Sequence, residues 1–494
     1  MSETKIVKSI SSADCDLELM TSFPQQFLLE YAVLPVSKEN GSVTVLGQLS
    51  SSGAAHEIGS ILNCTIDFQA ADPAEVRRFI TQEYDRASSR RDAAAEHEDY
   101  GNSADASELS DDSSVARLVD DILRRSLEKR ASDIHIEPFE VETLVRIRVD
   151  GVMTTLETLE RGLHPVIVSR IKIMARLKIE ERRLPQDGRI PRTIDDREID
   201  LRVSTIPTGL GERVVLRILD RSSVRFGMED LGLIGESLER WNELISSPHG
   251  IVLVTGRTGS GKITTLYAAL GTINTGKTNI VTVEDPVEYQ IEGIGQIQVQ
   301  PQIELTFATG LRSLLRQDPD VIMVGEIRDS ETAQVAVQAS LTGHLVLSTL
   351  HTNDTFSAST RLQDMGVEPY LLGSTLRGVL AQRLVRKLCA DCREEVVIDS
   401  GEAASIGVED GTKVFAPKGC DSCDGLGFRG RVGIFELLPV EGKVRELILA
   451  GEAAPIIQKA AVKQGVKTLR QCARELILSG KTTAAEVIKA TESD

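Results

Sequence analysis

The chain has 494 residues, 74 acidic against 56 basic, and a formal charge of −18. That length suggests about three domains, and the acidic balance argues against nucleic acid as the main ligand, because phosphate backbones select basic surfaces. No apolar run reaches the ~18 residues that a membrane-spanning helix needs, and the N-terminus shows no signal-peptide pattern, so a cytosolic location is expected.

Residues 1–84 mix short apolar runs, Tyr31–Val36 and Ser42–Leu46, with turns. They read as a small α+β module without recognisable catalytic residues. Residues 85–113 are rich in Ala, Ser, Asp and Glu with almost no large apolar side chains. Such a stretch cannot bury enough surface to offset its ordering entropy and reads as a flexible linker. Ser114 is the expected N-cap of a helix whose apolar face is Val115, Leu118, Val119, Ile122, Leu123 and Leu127. Strands are expected at Ile134–Ile136, Leu144–Val149, Ile199–Val203 and Val214–Leu219, which makes 114–222 a second α+β domain. A further linker around Asp220–Asp230 leads to the last domain, 230–494, which ends in a helical tail from about Val444.

That last domain carries most of the chemistry. Ile251–Val254 reads as a buried strand and Thr264–Leu270 as a helix. Between them lies Gly256-Arg257-Thr258-Gly259-Ser260-Gly261-Lys262-Ile263, which with Thr264 forms the expected nucleotide site. In G-x-x-x-x-G-K-[ST], successive backbone N–H groups wrap phosphate oxygens and the lysine reaches the outer phosphates. Ile263 stands where the pattern wants the hydroxyl that holds Mg²⁺, so binding follows more directly than hydrolysis. Thr264, one residue on, points about 100° away.

Two further strands end in acids. Asn279–Val283 leads into Glu284-Asp285-Pro286-Val287-Glu288, where Glu284 is the expected carboxylate nearest the magnesium shell. Val321–Val324 leads through Gly325 to Glu326, the candidate base that orients an attacking water; taken alone, an apolar strand ending in Glu is also what any strand leaving a core looks like. His344 and His351 bracket Leu345–Leu350 from opposite faces and are not expected to share a metal. His351 reads equally as a γ-phosphate sensor or a hydrogen-bonded structural histidine.

Of the seven cysteines, four form two knuckles, Cys389-Ala390-Asp391-Cys392 and Cys420-Asp421-Ser422-Cys423. Four thiolates so spaced suit a closed structural Zn²⁺ site in an insert at 387–425, with redox activity the rival reading. Cys15, Cys64 and Cys472 read as small apolar residues.

The phosphate loop, the Thr282–Glu288 acidic box, Arg316–Arg328 with its following Asp329, the run from Leu341-Thr342-Gly343-His344 to His351-Thr352-Asn353-Asp354, and the four cysteines occur in that order. Together they resemble the secretion ATPases of the type II secretion and type IV pilus superfamily, over roughly 114–494. The resemblance implies an α/β, RecA-like P-loop core preceded by a PAS-like α+β domain. It also implies a homo-hexamer that hydrolyses ATP with Mg²⁺ to assemble pseudopilins or pilins at the cytoplasmic face of the bacterial inner membrane. Arg202 and Arg217 match the family's arginines that reach the nucleotide from the preceding domain; as plain sequence they could equally be surface ion-pairing residues. The cysteine insert points to assembly rather than retraction motors, and the short N-terminal module fits the type II branch. That module resembles the part that docks on an inner-membrane secretion protein, so the chain would be peripheral to the membrane with no nucleic acid partner. The alternatives are a pilus-assembly ATPase, and an ATP-binding hexamer subunit that hydrolyses weakly because Ile263 replaces Ser or Thr.

Overall fold

A computed structural model describes residues 113–220 and 227–492 continuously, together with parts of 15–83. The linker expected at 85–113 and the middle of the second one, 221–226, lie outside the described residues, apart from Ser113. The chain divides into two compact units, 1–104 and 105–494.

In the first unit, β1 (Val33–Glu39), β2 (Ser42–Gly47) and β3 (Thr65–Ala70) form one sheet, antiparallel between β1 and β2 and parallel between β2 and β3. Val33, Val43, Val45, Phe79 and Ile80 share its core.

The second unit opens with the helix Ser113–Glu128, which starts one residue before the expected cap at Ser114. Its apolar stripe is buried as expected, with Leu118 partly so. It packs with β4 (Asp133–Pro138), β5 (Glu142–Val149), β6 (Val152–Glu160), β7 (Gln186–Ile194), β8 (Arg197–Thr208) and β9 (Gly211–Asp220). These form an antiparallel sheet in the order β6-β5-β4-β9-β8-β7. Alternation divides its two faces. Ile134, Leu201, Val203 and Leu216 enter the core, which the helix His164–Met174 also covers. Burial of each such side chain stabilises by roughly 1.5–3 kcal/mol. On the opposite face Asp133, Arg217, Arg202 and Arg189 lie side by side across β4, β9, β8 and β7.

Beyond residue 227 the chain builds a second, seven-stranded sheet. Its strands are β10 (Gly250–Thr255), β11 (Ile280–Glu284), β12 (Gly295–Gln298), β13 (Val321–Val324), β14 (Leu345–Leu350), β15 (Leu376–Leu388) and, after a two-stranded hairpin of β16 (Glu394–Val397) and β17 (Lys413–Ala416), β18 (Phe428–Pro439). The order is β12-β11-β13-β14-β10-β15-β18, parallel except for β18. Strands β10, β11, β13 and β14 are buried throughout, as a sheet covered on both faces requires. Because they run parallel, their C-terminal ends lie along one edge, where ligands bind in such sheets. Helices from Gly442 onward close the chain. Among the described residues, no helix is long and apolar enough to cross a membrane.

Candidate functional site: a cleft at the strand ends and a cage of four thiols

The phosphate loop leaves β10 and enters the helix Lys262–Ile273. Gly256, Gly259 and Gly261 adopt φ of 152°, 78° and 85°, a region that L side chains rarely occupy. At Gly256 a Cβ would also lie 2.5 Å from the carbonyl oxygen of Gln382, so the loop lies directly against β15. Lys262 is buried and folds back, donating to the carbonyls of Gly256 at 2.8 Å and Arg257 at 3.3 Å. Burial holds its ammonium below the ordinary lysine value, although Glu326 pulls the other way. An ammonium held over the loop by carbonyls is free to exchange them for phosphate oxygens.

Thr258, Gly259 and Thr264 are exposed, and Ser260 is buried. Thr265, not Thr264, turns inward and donates to Gln382 Oε1 at 2.6 Å. Ile263 is half-buried against the core that holds Met228, Leu233 and Trp241. Its side chain therefore serves packing between this helix and the start of the domain. Arg257 donates to the Glu492 carbonyl at 3.3 Å, which brings the end of the last helix to the loop.

Adjacent parallel strands bring Glu326 and His351 together. β13 pairs with β14, and the Ile327 amide donates to Thr349 at 3.0 Å, so both strands end level. His351 Nε2 lies 3.1 Å from Glu326 Oε2, while Arg328 pairs with Glu326 Oε1 at 2.6 Å. His344 lies at the other end of β14, bound to Ala339 O at 2.8 Å through Nδ1. The two histidines thus sit at opposite ends of β14.

Glu284 is placed differently from the expectation. It is only 2 % exposed, and both oxygens already accept neutral donors: Tyr267 on Oε2, and Thr282 and Gln296 (3.1 Å) on Oε1. Burial pushes its carboxyl above the ordinary value. In this arrangement Glu284 braces the helix Lys262–Ile273 against β11 and β12 rather than presenting an oxygen to the loop.

Arg202 crosses from the preceding domain to the acidic box. Its guanidinium donates to the Val287 carbonyl at 3.0 Å and pairs with Glu288 at 2.9 Å. Arg217, on the neighbouring strand, is largely exposed and pairs with Asp133 at 3.0 Å. With Arg217 largely in solvent, the pair contributes roughly 0–1 kcal/mol. Arg189, Arg202 and Arg217 line a cavity of about 570 Å³ whose other wall includes Pro286 and Gln298.

The four cysteine sulfurs lie within 4.8 Å of one another. Cys389–Cys420, Cys392–Cys423 and Cys420–Cys423 are 3.9, 3.8 and 3.7 Å apart. A disulfide needs about 2.05 Å, so these are free thiols. A tetrahedron of Zn–S bonds near 2.3 Å has edges of about 3.8 Å, so the cage fits zinc. The Gly427 and Cys420 amides point at Cys423 Sγ from 3.1 and 3.2 Å, as donors to a thiolate should. The insert also meets the preceding domain: Asp424 pairs with Lys129 at 3.0 Å, and the Gly430 amide donates to Asp150 at 2.8 Å.

Two buried polar residues near the cleft escaped the sequence reading. Gln382 and Arg383 are buried on β15, and Arg383 donates to the Asn353 carbonyl at 2.6 Å. The strand also carries Arg377, Arg386 and Lys387, so no local mark set these two apart.

A P-loop on the edge of a parallel sheet, with an acid two strands away and an arginine reaching across from a preceding domain, defines a RecA-like ATPase. Residues 108–489 match the family of type II/IV secretion system proteins, and residues 7–90 match the MshEN domain. The type II secretion system protein E of Dickeya dadantii is 50% identical over 435 residues, 85% of this chain and 87% of that protein. Its counterpart in Pectobacterium carotovorum is 45% identical over 494 residues, covering 97% and 98%. A crystal structure of the pilus retraction motor PilT with bound ADP overlays with a TM-score of 0.55 at 27% identity, covering 76% of this chain and 97% of that one. The chain belongs to the type II/IV secretion system protein family, and it is an ATP-hydrolysing enzyme of the type II secretion kind.

Proposed function

We propose that the chain is a hexameric motor at the cytoplasmic face of the inner membrane that uses ATP hydrolysis to assemble a pseudopilus for protein export. Its N-terminal module docks on an inner-membrane secretion protein, which makes the motor peripheral to the membrane. Domains 114–222 and 230–494 turn against each other during the cycle.

The observation that carries this reading is Arg202, which already bridges the preceding domain and the acidic box beside the loop. On nucleotide binding, backbone amides of residues 256–264 take the phosphates, and Lys262 exchanges its carbonyl partners for the outer ones. Glu326 accepts the proton of the attacking water, and His351, 3.1 Å away, orients that carboxylate and reports the γ-phosphate. Arg202 and Arg217 supply positive charge as the domains close. Magnesium bound with ATP would supply neutralisation of phosphate charge, and Glu284 would be available to hold it only by giving up a donor such as Tyr267. Cys389, Cys392, Cys420 and Cys423 would hold zinc, which would cross-link the insert without taking part in hydrolysis.

Ile263 supports a second reading, a subunit that binds ATP but turns it over weakly, because its packed side chain leaves the loop without the usual metal-binding hydroxyl. Phosphate release by the purified chain, with and without Mg²⁺, separates the two. The motor reading requires Mg²⁺-dependent turnover, and its loss in Glu326→Gln together with loss of export in cells. Tight ATP binding with negligible turnover would instead favour the second.

A further inference from the structure

The segment carrying His351 is held by buried groups from three different strands. At β10, Thr255 accepts from the Thr352 amide at 3.0 Å. At β15, Arg383 binds the carbonyl of Asn353. At β18, Glu436 accepts from both the amide and the hydroxyl of Thr355, at 3.0 and 2.7 Å. Ala381 faces Glu436 in register and Ile434 faces Arg383, so Arg383 and Glu436 lie on one face of two adjacent strands. Both are almost fully buried, 6% and 2% exposed.

Glu436 does one thing more. Its other oxygen, Oε2, accepts from the Leu469 amide at 3.0 Å, in the first turn of the helix Leu469–Leu478. One buried carboxylate therefore joins the His351 segment to a helix of the C-terminal tail. A helix N-terminus favours negative charge, and three donors on two oxygens offset the cost of burying it. Burial alone still pushes the carboxyl above its ordinary value. The same tail reaches the phosphate loop through Arg257 and the Glu492 carbonyl. The Arg257 contact is made by its side chain, whereas the loop's phosphate donors are backbone amides, so the tail acts on the cleft through how its loops are held.

We infer that Glu436 is a positioning residue: it fixes the His351–Thr355 segment so that His351 meets Glu326, and thereby ties the rate of hydrolysis to the position of the C-terminal helices. This rests on the reading of Glu326 and His351 as the hydrolytic end of the cleft. A carboxylate that holds geometry affects the chemical step more than ground-state binding, because a shift of about 1 Å at a reacting group can cost ~10²-fold.

The test is a double-mutant cycle in the full-length chain, with ATP turnover and zinc content measured together. Glu436→Gln keeps the shape but turns one acceptor into a donor that faces Thr355 or Leu469. It should lower kcat about tenfold with KM for ATP changed less than about twofold, and zinc retained. In a His351→Ala background the same change should lower kcat by less than about twofold, since the residue it positions is gone. Thr355→Val, which deletes only the hydroxyl contact, should show the same pattern at roughly a third of the effect and serves if Glu436→Gln does not fold. Equal losses in both backgrounds, with His351→Ala itself slow, would overturn the inference alone. Wild-type turnover in His351→Ala, with Glu436→Gln still slow, would overturn the role of His351 and this inference with it.

Discussion

The cysteine cage and the nucleotide cleft concentrate chemistry in opposite ways. The cage draws four like ligands from two short knuckles, with three sulfur–sulfur edges of 3.7–3.9 Å, close to those of a metal tetrahedron, and all four sulfurs within 4.8 Å. The cleft draws unlike groups from β8, β10, β11, β13 and β14, and in this state many are occupied with each other: Lys262 with loop carbonyls, Glu326 with Arg328 and His351, Arg202 with Glu288. A site that must hold one ion permanently is built closed. One that must take up, cleave and release a nucleotide is built from exchangeable partners, one of which, Arg202, sits on another domain.

Substitutions in the cleft and the cage should therefore separate cleanly. Glu326→Gln preserves shape but removes the charge, so turnover should fall by ~10²–10⁴ while ATP still binds. Near wild-type phosphate release would move the base to Glu288. Ile263→Ser restores a loop hydroxyl and should raise turnover ~10-fold, or ~1.4 kcal/mol of barrier, most visibly at low Mg²⁺. If the native chain is already fast and the serine variant gains nothing, the apolar packing of Ile263 is simply tolerated. Cys420→Ser should reduce metal from about one zinc per chain to well below that and loosen the insert, with equilibrium ATP binding changed least of all. Metal analysis, protease susceptibility of 387–425 and nucleotide titration together check this; a disulfide in place of zinc would break the comparison at its root.

How much of this was readable in the sequence follows from the range of the interactions. The phosphate loop is local: three glycines need unusual φ at fixed spacing, and the flanking strand and helix are adjacent in the chain. The cysteine knuckles are local in the same sense. In the preceding domain the four expected strands are the central ones, where alternation is enforced by a core on one face. The two missed strands, β6 and β7, are the sheet's edges. An edge strand with one neighbour tolerates polar residues, and β7 even carries Gly188 and Pro191, which would disrupt a central strand. The helix His164–Met174 was left unassigned: Val166, Ile167, Val168, Ile171 and Ile173 crowd apolar residues around it without a clean helical stripe, and Pro165 in its first turn is the signal that marks it.

In the cleft, the residue types were readable but their partners were not. Glu326 meets His351 because two parallel strands end level, and that register has no local mark. Glu284 was expected nearest the magnesium shell because an acid buried unpaired is costly; here Tyr267, Thr282 and Gln296 converge on it from three segments, partners with no local mark in the sequence. Arg202 was assigned to the nucleotide by family resemblance, and its alternation with Leu201 and Val203 only permitted it.

The direct test of a cleft completed by a second domain is Arg202→Ala, assayed for ATP affinity at equilibrium and for single-turnover hydrolysis in the same preparation. The account predicts affinity within a few-fold of wild type and hydrolysis slowed by ~10³. Arg217→Ala should show a smaller loss of the same kind. Hydrolysis unchanged in Arg202→Ala, or lost only in proportion to affinity, would contradict it and return Arg202 to an ordinary ion pair with Glu288.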